Sequence, residues 1–165
     1  MERETFVTIC ELLFCTVLMV ASVYDVKRQK VSRIILAVGI LITLIMNTGL
    51  ECFFKNSSAD GILINSAEGV LVGGMPLFIA YLYSKFISKK DSVGICDIII
   101  FAISGGFLGF RLILNFYFVL VLVSFVCISV MLLFRIKVRK DKINVVPFVT
   151  TAVIVTIFID KFWVM

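Results

Sequence analysis

The chain has 165 residues, 61% of them hydrophobic, with 16 basic against 11 acidic side chains for a formal charge of +5. A soluble domain is about 45–50% apolar, so this composition, with a mean hydropathy of +1.14, reads as an integral membrane protein and excludes an ordinary soluble globule. Histidine is absent, which excludes Ser–His proteolysis and HExxH zinc chemistry, since both need an imidazole.

A membrane-crossing helix needs about 20 apolar residues. Six stretches qualify: 6–24, 31–50, 62–84, 97–114, 116–134 and 145–164. The first follows MERET, which is not a basic leader, and its apolar run is too long for a signal peptide; it is read as a helix. The connection after it, DVKRQKVSR, carries Lys27, Arg28, Lys30 and Arg33. ECFFKNSSADG at 51–61 is a loop of turn-forming residues. The connection after the third stretch carries Lys85, Lys89 and Lys90, and the one after the fifth carries Arg135, Lys137, Arg139, Lys140 and Lys142. Twelve of the 16 basic residues therefore sit on alternate connections, leaving Arg3, Lys55, Arg111 and Lys161 for the other side. The positive-inside rule makes the basic connections cytoplasmic.

The expected architecture is an all-α, polytopic membrane bundle of six transmembrane helices, both termini outside, forming a single domain over 1–165. The basic excess is topological. It calls for a lipid bilayer as partner and no nucleic acid. Five cysteines (Cys10, Cys15, Cys52, Cys96 and Cys127) show no C-x-x-C pair and read as small buried residues; no metal site is expected.

Four carboxylates fall within or at the ends of the spans: Glu11, Asp25, Glu68 and Asp97. An ionisable group at membrane depth is costly, and its presence is a site hypothesis by default. Asp25 closes the first helix and Asp97 opens the fourth, both at cytoplasmic ends, so two carboxylates far apart in sequence arrive at one depth. Each also has a plainer reading. Asp25 precedes Lys27 and Arg28 and suits an interfacial salt bridge, whereas Asp97 suits a helix cap favoured by the dipole. Glu11 and Glu68 lie nearer the outer half and read as buried carboxyls, protonated or hydrogen-bonded to a neighbouring helix. They are not placed in the site.

Around Asp97 runs SVGICDIIIFAISGGFLG. Gly94 permits a tight turn and close approach of a substrate strand, and Gly105 and Gly109 form a small-x-x-x-small pattern for helix packing. With YDVKRQKVS at the first aspartate, GICDIIIFAISGGFLG at the second and INVVPFVTTAVIV opening the last helix, the chain resembles the prepilin peptidases (type IV leader peptidases) of the GxGD-type aspartyl membrane proteases. The resemblance covers nearly the whole chain in order and spacing.

That resemblance implies Asp25 and Asp97 as the catalytic pair, with Gly94 and Cys96 shaping the loop beside them, and no cofactor. It implies a pilin-like precursor as substrate, bearing a short basic leader and an apolar helix, cut at the cytoplasmic face of the cell membrane. Larger members of the family add a zinc-binding insertion with paired C-x-x-C motifs and methylate the new amino terminus. This chain has neither the insertion nor those cysteines, so methylation is not expected. Three positions depart from the family pattern: Cys96 replaces its second glycine, Ile99 its lysine and Ser32 its proline.

The departures support an alternative, a non-catalytic membrane scaffold of a pilus or secretion assembly. A small ion- or proton-coupled transporter fits less well, because it calls for charge at the midplane in broken helices. Preflagellin peptidases and presenilin-like enzymes share the aspartate pair, and Tyr24–Asp25 echoes the latter. Six spans with the pair in helices one and four fit the prepilin type better.

Overall fold

The computed structural model describes residues 3–28, 32–53, 61–88, 94–133 and 145–164. They form α1 (Arg3–Arg28), α2 (Arg33–Phe53), α3 (Ile62–Tyr83), α4 (Ile95–Leu133) and α5 (Val146–Val164), with a π-helical turn at Ser84–Ser88 continuing α3. No strand occurs among the described residues. Four of the helices, α1 to α4, are long and apolar enough to cross a membrane. Their outward faces stay apolar: Leu114, Phe118, Val121 and Phe125, at helical spacing on α4, are each 64–69% exposed. Such a stripe is costly in water and at home in hydrocarbon.

α4 is not a single rod. On an unbroken helix Phe101 and Phe116 would stand about 22 Å apart, yet their rings meet edge to face at 5.9 Å. The chain doubles back at Gly109, whose φ of 74° and ψ of 170° are open to glycine and strained for other residues. The Phe110 amide beside the reversal donates to Asn65 Oδ1 at 3.0 Å. The two arms, 95–108 and 110–133, overlap the stretches expected as the fourth and fifth helices, with the reversal at Gly109 rather than near Asn115.

Neighbouring segments alternate in direction. Phe6 of α1 lies against Gly49 of α2, Asn47 of α2 donates to Ser66 of α3 at 2.8 Å, and Lys161 of α5 pairs with Glu11 of α1. These contacts and the Gly109 reversal mark one end of the bundle. The C-terminal turn of α1 and the first turns of α4 and α5 mark the other. The core between them is apolar, with the Phe14 and Phe107 rings stacked at 4.0 Å among Leu18, Phe116, Val149 and Val153.

α3 and the first arm of α4 touch backbone to backbone. A Cβ on Gly73 would stand 2.7 Å from the Phe101 carbonyl oxygen, and one on Gly69 or Gly105 would run into the other's carbonyl. The expected small-residue packing is thus present at Gly105, with Gly69 and Gly73 as partners, and at Gly109, whose Cα also lies close against Gly69 while its backbone makes the reversal.

Pro76 lies inside α3. Having no N–H, it leaves the Val72 carbonyl without its helical donor. The Tyr117 hydroxyl, from the second arm of α4, lies 3.0 Å from that oxygen and 2.8 Å from the Gly73 oxygen, and its one proton serves the pair. Tyr117→Phe is expected to lower stability by about 1–3 kcal/mol, the usual cost of an unsatisfied buried polar group. A thermal melt in detergent checks this; an unchanged midpoint would mean that the carbonyl needs no donor.

Candidate functional site

Asp97 lies in the first turn of α4. The helix is opened by Gly94, whose carbonyl accepts from the Asp97 amide at 3.1 Å and the Ile98 amide at 3.4 Å. The Asp97 carboxylate in turn accepts from the Gly94 N–H. This is the return half of a capping box, in which an acid at the third helical position satisfies the cap residue's amide. A Cβ on Gly94 would stand 3.1 Å from Asp97 Oδ2. The glycine therefore matters here because the carboxylate packs on it. Cys96 has ordinary helical geometry, since Gly109 alone departs from it within α4, so this position makes no demand for a glycine backbone. Ile99 packs against the apolar core, leaving no cation at the position where the family pattern has lysine.

Asp25 closes the stripe Phe14, Leu18, Ala21 and Asp25 on α1, all of it buried. Its carboxylate accepts from the backbone N–H of Val146, the first residue of α5. The aspartate is thus directed at a neighbouring helix end, where unpaired amides and the dipole favour an anion. Asp25 thus lies within range of a charge interaction with Asp97, and each carboxylate accepts from the amide of a helix N-terminus.

Glu11 forms an ion pair with Lys161 of α5, and Lys161 also donates to Thr8 Oγ1 at 3.4 Å. This agrees with a carboxyl tied to a neighbouring helix, at the end of the bundle away from the aspartates. Glu68 is a correction. It is exposed, because Ser66, Gly69 and Gly73 form the buried stripe of α3, and about 100° per residue turns position 68 off that stripe. The basic residues Lys30, Lys89, Lys90 and the run Arg135 to Lys142 lie outside the described residues.

Two contributors to this site escape a reading of side-chain types: the Val146 amide, and Thr150 one turn later, whose hydroxyl lies 2.9 Å from the Val146 oxygen and 3.2 Å from the Leu18 oxygen of α1. Pro147, the second residue of α5, which has no amide of its own, was their only trace in the sequence.

Comparison with curated proteins and with solved structures returned no match. The model of the type IV leader peptidase family matches residues 12–134, a stretch that includes both aspartates and ends before α5. The chain belongs to the type IV leader peptidase family.

Proposed function

We propose that this protein is an aspartyl endopeptidase of the plasma membrane, with six spans and both termini outside, which removes short basic leaders from pilin-like precursors at the cytoplasmic face. The observation that carries this reading is a pair of aspartates, Asp25 buried at the end of α1 and Asp97 in the first turn of α4, within range of a charge interaction in a chain of the leader peptidase family. Two carboxylates that feel each other's charge do not both ionise cheaply, so the pair shares one proton. The ionised member takes a proton from water as the water oxygen bonds to the scissile carbonyl carbon. The protonated member donates to the carbonyl oxygen. When the tetrahedral species collapses, the C–N bond breaks and the amine leaves with a proton from the pair. One water is consumed and the dyad returns to its starting state. The pair titrates as a unit, so neither acid is assigned alone as base.

The protein cuts and does not methylate. Its basic connections anchor it in the membrane rather than hold the leader, which is itself positive. The test is co-expression with a pilin-like precursor, read by mass spectrometry of the precursor's amino terminus. Loss of the leader, with the new amino group unmodified, is the expected result; an uncut precursor beside well-folded protein would reject the reading.

One observation favours a second reading, a non-catalytic scaffold. Both carboxylates cap helices, a role that needs no chemistry, and Ile99 replaces a lysine. A scaffold would leave the precursor uncut while binding it or its assembly partners.

A further inference from the structure

We infer that α5, beyond the stretch matched to the family, belongs to the catalytic apparatus, and that Thr150 is its positioning residue, clamping the first turn of α5 to α1 so that the Val146 amide stays on the carboxylate of Asp25. The inference rests on Asp25 acting as proposed above.

The N-terminus of α5 has few donors to offer. Val146 is its first residue, Pro147 has no N–H, and the amides of Phe148 and Val149 turn back to the Val145 carbonyl at 3.1 and 3.2 Å. Val146 therefore supplies the one amide of this turn that is directed outward, and Asp25 accepts it. Both residues are buried, Val146 at 1% exposure and Asp25 at 7%, so water competes poorly for either.

Thr150 sets the geometry of that bond. A threonine within a helix commonly returns its hydroxyl to the carbonyl four residues back, and Thr150 does so with Val146. The same oxygen also lies 3.2 Å from the Leu18 carbonyl oxygen of another helix, so its single proton is shared across the α1–α5 interface. Leu18 stands two turns before Asp25 on the same buried stripe. One side chain, buried to 5% exposure, thus ties the carbonyl of the residue that donates to Asp25 to the stripe that carries Asp25. Thr151, its neighbour, also bonds the carbonyl four back but is exposed; it provides the matched control.

The test compares wild type, Thr150→Val, Thr150→Ser and Thr151→Val in lipid nanodiscs. Two readouts are taken: the titration of Asp25, by infrared difference spectra of protein labelled with ¹³C-aspartate and referenced to Asp25→Asn, and the pH profile of precursor cleavage. A hydrogen bond to a charged group contributes about 1.5–3 kcal/mol, and one pH unit corresponds to about 1.4 kcal/mol. Loosening the Val146 bond removes a donor from the ionised form only. Thr150→Val should therefore move the Asp25 titration and the acid limb of the profile upward by about one pH unit, Thr150→Ser should restore both, and Thr151→Val should move neither. An Asp25 titration unmoved by Thr150→Val, or moved equally by Thr151→Val, overturns the inference. So does a fall in turnover with no change in the profile, the mark of a merely structural residue. If wild type cuts no precursor, the proposed function and the catalytic part of this inference fall together, while the infrared arm still decides whether Thr150 governs Asp25.

Discussion

Replacing Asp25 or Asp97 by asparagine is expected to lower precursor cleavage by about 10³-fold or more, within the range of a lost general acid–base group, and replacing both should lower it little further. The lack of additivity follows from the mechanism. A dyad sharing a proton works only when one member can accept and the other donate, so the first substitution removes both functions at once. The fold should survive either change. An asparagine oxygen can still accept from Val146 at position 25 or from Gly94 at position 97, the two amides that hold the native carboxylates. The measurement is the initial rate of leader removal at saturating precursor, with folded yield as control. A variant that still processes the precursor at a tenth of the wild-type rate would remove its aspartate from the chemistry.

The second large effect is on folding. Gly105→Val should destabilise the protein by about 3 kcal/mol or more, at the upper end of overpacking costs. Its side chain would be driven into the Gly69 carbonyl, a backbone group with nowhere to retreat. Gly39→Ala is the matching control, because its Cβ would meet only the Ile103 methyl groups, at 3.6 and 3.8 Å. A glycine replaced by alanine within a helix gains up to about 1 kcal/mol of propensity, so Gly39→Ala should be neutral or stabilising. Thermal melts of the two variants in one detergent decide the matter. Equal midpoints would show that the α3–α4 contact opens without cost.

Depth and charge were legible in the chain itself. Lysines and arginines on alternate connections led to the expected order of helices, and the ends of the first and fourth apolar runs led to Asp25 and Asp97 at one level; the fold brings the two within range of a charge interaction. The reversal in α4 was not legible at the right residue. Arg111 and Asn115 are polar cues that draw a boundary downstream, whereas the actual turn depends on the backbone freedom of Gly109, one of three glycines within GGFLG. Glu68 was misjudged because NSAEG mixes polar and small residues, and composition does not tell which side of a helix faces inward. The donor on Asp25 left little trace, because a backbone amide is common to nearly every residue. Tyr117 likewise cannot be matched to Pro76 without knowing that the arm after Gly109 returns alongside α3.

The glycine seam between α3 and the first arm of α4 bears on how firmly each of the two aspartates is mounted. Interfaces made of side chains yield by changing rotamers, but Gly69, Gly73 and Gly105 meet through main-chain atoms and have no rotamers to change. That half of the molecule is mechanically stiff, and Asp97 is mounted on it. Asp25 is mounted on α1, which meets the same arm through side chains such as Phe14 on Phe107. Any give between the two mounts therefore resides on the α1 side, where side chains can repack, and not in the glycine seam that carries Asp97.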